Sequence, residues 1–193
     1  MNSNPITQFQ EWLETAKKEP SITEPTAMCL ATADKNAEPS ARMVLLKDVD
    51  ENGFVFYTNN ESHKGQDLAE NNRVALVFYW MKLGRQVRVE GIAAAVSDSE
   101  ADEYYNSRPR DSRIGAWASK QSRPLKDKAQ LLADVSRETI RFGIGDIPRP
   151  AYWSGWRITP KVIEFWQDKP FRLHEREVYT HTGYGWEITR LYP

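Results

Sequence analysis

Five short segments rich in Val, Leu, Phe and Tyr follow one another between Ala27 and Val96, each cut off by turn chemistry. They run Ala27 to Thr32, Ser40 to Lys47, Phe54 to Thr58, Arg73 to Trp80 and Arg85 to Val96, with Asp-Lys-Asn, Asp-Glu-Asn-Gly and Lys-Leu-Gly among the breaks. Such a run predicts an antiparallel meander or Greek key closing into a barrel. Strand-like segments resume at Trp156 to Thr159, Val162 to Gln167, Phe171 to Thr180 and Gly185 to Arg190, and need partners in the same sheet system.

Helices are expected around this sheet. Asn4 and Pro5 open one over about 5–18, with Phe9, Trp12, Leu13 and Ala16 at helical spacing. A helical insertion covers about 98–142: Glu100 to Ser107 behind a Ser97 or Asp98 cap, a short helix near Arg113 to Ala118, and a longer one from Leu125 to about Phe142. Pro148 to Pro150 is a stiff link. At 193 residues and 40% hydrophobic content, one domain over 1–193 is expected, mainly β with peripheral helices.

A formal net charge of -1 argues against a nucleic-acid surface, so any anion site must be local. The one cysteine, Cys29, rules out an internal disulfide and a paired-cysteine zinc site, so no metal is expected and a reducing cytoplasm fits. The polar start and the lack of a long apolar run predict no membrane partner. Gly-x-Gly-x-x-Gly, Walker, His-Glu-x-x-His and Gly-x-Ser-x-Gly motifs are absent, which disfavours Rossmann, P-loop, zinc-hydrolase and esterase chemistry.

Cations on otherwise core-like strands are the unusual feature. In Arg42-Met-Val-Leu-Leu-Lys47, alternation puts Arg42, Val44 and Leu46 on one face and Met43, Leu45 and Lys47 on the other. A regular strand would then give two anion sites, and a bulge could merge them; solvated strand ends are the bland alternative. Tyr57-Thr58-Asn59-Asn60-Glu61-Ser62-His63-Lys64 leads into a helix capped by Ser62, which could cradle a phosphate or be an ordinary capped loop. Tyr104 and Arg108 stand four apart before Pro109, with Ser112 as the expected cap of the next helix. A phosphate could meet all three there, or the arginines could be solvated. In Phe171-Arg172-Leu-His174-Glu-Arg176, a regular strand would put Arg172, His174 and Arg176 on one face, around an anion or an electron-rich ring, or as guards of an exposed edge. Trp166 and Gln167 just upstream offer a flat surface and an amide.

In this order, and over nearly the whole chain from Phe9, these segments resemble the pyridoxamine 5′-phosphate oxidase family. Arg42 to Lys47, Phe56-Tyr-Thr-Asn59, Arg85-Gln86-Val, Ser107 to Ser112 with Ile114 to Ser122, Glu164 to Gln167 and Arg172 to Arg176 carry the likeness. The resemblance implies an FMN-binding split barrel working as a homodimer, with FMN between the subunits. It implies that FMN is held by Arg42, Tyr57, Thr58, Lys64, Gln86, Gln121, Ser122, Trp166 and Arg176, along the strand Met43, Val44, Leu45, Leu46 and Lys47 and beside His63. Lys47, Tyr104, Arg108 and Ser112 match residues that hold the substrate phosphate, and Arg172 and His174 match the catalytic pair over the pyridine ring.

The implied reaction oxidises pyridoxamine and pyridoxine 5′-phosphates to pyridoxal 5′-phosphate and reduces oxygen to hydrogen peroxide. A relative acting on another aromatic substrate, such as a phenazine precursor, is the rival; a flavin- or haem-binding barrel without turnover is a second. His63 departs from the family's usual second arginine, and Tyr192 from the usual small residue before the final proline. The sequence also begins close to the first helix, without the Arg- and Tyr-containing segment that relatives fold over the substrate, so a lid supplied differently or a more open site is expected.

Overall fold

In the computed structural model, which describes residues 3–193, Asn4 starts the first helix as its cap, accepting from the N–H groups of Ile6 and Thr7 at 2.8 and 3.4 Å. Residues 1 and 2 of the expected 1–193 domain lie outside the described residues. This helix, α1 (Pro5–Lys17), buries Phe9, Leu13 and Ala16 on one stripe. Phe9 is fully buried, edge-on to Phe54 at 4.9 Å and Phe78 at 4.8 Å, while Trp12 meets Phe165 at 5.1 Å. Burial of a side chain the size of Phe9 contributes about 2–3 kcal/mol, so α1 acts as an apolar plug for the curled sheet.

The strands are β1 (Ala27–Ala33), β2 (Pro39–Leu45), β3 (Asp48–Asp50), β4 (Gly53–Asn59), β5 (Arg73–Trp80), β6 (Arg85–Ala95), β7 (Trp153–Gln167), β8 (Glu175–His181) and β9 (Trp186–Arg190). All pairings are antiparallel, in the order β2-β1-β5-β6-β7-β4-β3, with β8 joining β7 to β9. The N–H of Lys47 donates to Val55 O at 2.8 Å, which ties the exit of β2 to β4 and curls the sheet toward closure. The mainly β class expected from the sequence is the observed one. Among the described residues no helix is long and apolar enough to cross a membrane.

Three local expectations are corrected. The two segments foreseen around Pro160 are one strand, β7, because Pro160 sits where the register against Glu90 and Gly91 shifts; at such a bulge the missing N–H costs no ladder bond. The segment from Phe171 to His174 is not strand. Pro170–Arg172 forms a 3-10 turn in which Phe171 and Arg172 both have positive φ, 59° and 61°, so alternation starts only at Glu175 and Arg172, His174 and Arg176 do not share a strand face. Ser112 is not a cap: α4 (Arg110–Ala118) starts behind Pro109, and Ser112 lies in its first turn.

The other helices fall close to expectation. They are α2 (His63–Glu70) capped by Ser62, α3 (Asp98–Ser107) capped by Ser97, and α5 (Lys128–Phe142) capped by Asp127.

Candidate active site

β2, the end of β4, the start of α2, α3 and α4 enclose a cleft of about 920 Å³. At one end, Arg42 reaches inward from β2 and is fixed on several sides. Its Nη1 donates to Thr32 Oγ1 at 2.6 Å and Leu30 O at 3.3 Å; its Nη2 donates to Ser40 Oγ at 2.6 Å and stands 3.5 Å from Asp67 Oδ2. Lys64, only 8% exposed, donates to Thr58 Oγ1 and Ser62 Oγ, each at 3.2 Å. Burial, and then the Arg42 charge, push the Lys64 amine below its ordinary pKa, with Asp67 opposing. His63 completes this end, its Nε2 3.5 Å from Asp67 Oδ1. Helix α2 presses close against the preceding loop at Gly65, where a Cβ would come within 2.3 Å of Asn60 O.

A second cationic group lies elsewhere in the same cleft. Arg108 follows α3 with its guanidinium 4.7 Å over the Trp153 ring, and its buried Nη1 has no hydrogen-bond partner. An orphaned buried donor of this kind suits an incoming anion. Ser112, Lys47 and Tyr104 line the cleft with it. Tyr104 stacks on Tyr57 at 3.9 Å with 12° between planes, and burial, then Glu100, push the Tyr57 phenol up to about 12, so it remains a protonated donor. Gly155 makes room for that ring, since a Cβ there would stand 2.6 Å from Tyr57 Cε1. β2 ends at Leu45, so strand alternation does not extend to Lys47, and Arg42 and Lys47 both line the cleft.

Met43, Val44, Leu45, Gln121 and Ser122 also line the cleft. Leu46 does not: at 4% exposure its side chain belongs to the core. Five further expected residues lie apart from the cleft. Gln86, Trp166 and Arg176 form a row across β6, β7 and β8, paired Gln86 to Trp166 and Trp166 to Arg176. Beside it, His174 sits 4.7 Å from the Trp166 ring, with Nδ1 2.9 Å from Asp168 Oδ1, and Arg172 occupies the left-handed turn. Positive φ at a large side chain is costly and gathers at functional sites.

Sequence reasoning missed Trp153, Asp67 and Ser40. Asp67 stands four residues after His63 on α2, a spacing that could have revealed it; nothing local marked Trp153, whose contact with Arg108 joins two distant segments.

Comparison with known proteins agrees with this architecture. Residues 14–141 match the family model described as pyridoxamine 5′-phosphate oxidase, and residues 153–193 the one described as pyridoxine 5′-phosphate oxidase C-terminal dimerisation region. The chain is 57% identical to the pyridoxine/pyridoxamine 5′-phosphate oxidase of Maricaulis maris, over 98% of this chain and 86% of that one. It is 56% identical to the protein of that name from Brucella canis, over 100% and 95%. Among solved structures, PhzG from Burkholderia lata 383, in complex with tetrahydrophenazine-1-carboxylic acid, superposes with a TM-score of 0.94 at 33% identity, covering 100% of this chain and 94% of that one. This chain belongs to the pyridoxamine 5′-phosphate oxidase family.

Proposed function

We propose that the protein binds FMN between two copies of the chain and oxidises pyridoxine 5′-phosphate directly, and pyridoxamine 5′-phosphate through an imine that water hydrolyses with release of ammonia, to pyridoxal 5′-phosphate, with oxygen reduced to hydrogen peroxide. The observation that carries this reading is one cleft lined by cations held in different surroundings: Arg42 and Lys64 beside Asp67, Thr58 and the Ser62 cap, and Arg108 over the Trp153 ring, with Lys47 on the same lining. A cofactor phosphate and a substrate phosphate need two such places. The names borne by relatives at 56–57% identity over the whole chain support it. The lone Cys29 suits a cytoplasmic setting.

FMN, when bound, supplies a two-electron acceptor for the hydride equivalent leaving the substrate C4′ carbon, which oxygen then reoxidises. In this reading Arg42, Lys64, Thr58 and His63 hold the cofactor phosphate. Lys47, Tyr104, Arg108 and Ser112 hold the substrate phosphate, and the stacked Tyr57, Tyr104 and Trp153 rings exclude water beside it. The remaining set, Gln86, Trp166, Arg172, His174 and Arg176, comes from the second copy, which explains why these residues stand apart from the cleft of their own chain. The match of residues 153–193 to a dimerisation region supports that origin. His174, whose Nδ1 accepts from the Lys169 N–H at 3.3 Å and stands 2.9 Å from Asp168 Oδ1, leaves Nε2 for the substrate, and Arg172 steadies the pyridine ring.

The test is an absorption spectrum of the purified protein followed by oxygen uptake with pyridoxine 5′-phosphate. A yellow protein with about one FMN per chain that consumes oxygen is expected. A colourless protein that ignores micromolar FMN overturns the reading. A phenazine precursor as substrate has the Burkholderia lata neighbour in its favour, though at 33% identity; oxygen uptake with such a compound and none with the B6 phosphates would select it.

A further inference from the structure

Asp67 is 3% exposed, yet it faces three polar groups of the Arg42 end of the cleft. Thr32 donates its hydroxyl to Asp67 Oδ2 at 2.6 Å, and because a hydroxyl has one proton, the same oxygen must accept the 2.6 Å bond from Arg42 Nη1. The direction of the chain is thereby fixed: guanidinium to hydroxyl to carboxylate. Asp67 Oδ2 also stands 3.5 Å from Arg42 Nη2, and Oδ1 stands 3.5 Å from His63 Nε2. We propose that Asp67, through Thr32, is a positioning residue that presets Arg42 and His63 for a phosphate monoester, and so makes the cleft select FMN over unphosphorylated riboflavin.

Two opposite effects of this carboxylate compete. As a negative charge near an incoming phosphate it repels. As a buried counter-ion it lets Arg42 and Lys64 crowd together before any ligand arrives, and it opposes the loss of the Lys64 proton. Its contacts decide the balance. Its oxygens are taken by Thr32, Arg42 and His63, and at 3% exposure it cannot meet the ligand directly. Repulsion therefore acts through the cations it anchors, whereas ordering acts on the groups that would grip the phosphate, and preorganisation is where charge-assisted bonds gain most.

The inference rests on the FMN reading, and the test separates the two. Dissociation constants of FMN and of riboflavin are measured by flavin fluorescence for the wild type, Asp67→Asn and the near-isosteric Thr32→Val. The wild type should prefer FMN. Asp67→Asn should weaken FMN binding by roughly ten- to hundredfold while riboflavin binding stays within about twofold. Thr32→Val, which keeps the buried charge, should lose FMN preference in the same direction, and it decides the question if Asp67→Asn does not fold. An FMN preference that survives in the variants, or one that increases in Asp67→Asn, overturns the inference alone. Equal loss of both flavins makes Asp67 structural and likewise overturns it. No preference for FMN in the wild type overturns the FMN reading and the inference with it.

Discussion

Arg176 donates from Nε to Glu164 Oε1 at 2.8 Å across the β7–β8 pair, and the other oxygen of that carboxylate takes Arg88 Nη1 at 3.1 Å. Glu164 is 6% exposed, and its pull raises the Arg176 guanidinium pKa further. The arginine expected at the cofactor is thus held from behind by a buried partner that makes two charged bonds. Glu164→Gln should lower stability by about 1–3 kcal/mol, read by denaturant unfolding, and should weaken FMN retention as Arg176 loosens.

Lys64 predicts a pH dependence with a definite sign. Burial lowers its pKa in the folded protein, while the unfolded chain keeps the ordinary lysine value. Between the two the unfolded state binds more protons, so this group's contribution to the stability of the flavin-free protein rises with pH. A bound phosphate favours the charged amine and reverses the preference. FMN affinity should therefore fall on the alkaline side, and binding there should take up a proton, measured by calorimetry in buffers of different ionisation enthalpy. Lys64→Met should abolish the proton uptake.

The two cationic groups should be separable by mutation. Arg42→Ala should weaken FMN retention, and Arg108→Ala should leave FMN bound while raising KM for pyridoxine 5′-phosphate, each by about 1.5–3 kcal/mol, or roughly ten- to hundredfold. Oxidation of unphosphorylated pyridoxine should be nearly indifferent to Arg108→Ala. Release of FMN by Arg108→Ala as readily as by Arg42→Ala would merge the two groups into one.

Gly155→Ala tests the aromatic wall. Its Cβ would meet Tyr57 Cε1 at 2.6 Å and Val96 Cγ2 at 2.9 Å, so the Tyr57 ring must leave its stack on Tyr104. A rise in KM for the phosphorylated substrate, with a loss of several degrees in Tm, is expected from steady-state kinetics and thermal melting.

Much of this was legible because it is local. Strands β1, β2, β4, β5 and β6 follow from alternation and turn residues, whereas the three-residue β3 was not foreseen, and the Asn4 and Ser62 caps follow from side chains that satisfy helix N–H groups. What failed were the Ser112 cap, because α4 starts two residues earlier behind Pro109, and inferences that treated a regular strand as given. Phe171 and Arg172 leave the β region altogether, and Pro160 sits inside a strand because a bulge absorbs it, and neither is written in residue type alone. Trp153 under Arg108 and Thr32 beside Asp67 are contacts between segments far apart in sequence, visible only once the sheet has curled.

The central claim is that oxidation takes place at a site shared by two copies of the chain, and mixed dimers test it most directly. One variant, Arg42→Ala with Lys64→Ala, disables the cleft; another, Arg172→Ala with His174→Ala, disables the distant set. Each should be inactive with pyridoxine 5′-phosphate when alone. After equal mixing and subunit exchange, half of the dimers are hybrids with one intact site each, so oxygen uptake should return to about a quarter of the wild-type rate. Hybrid dimers that form, as seen by native mass spectrometry, but restore no oxygen uptake would contradict the shared site.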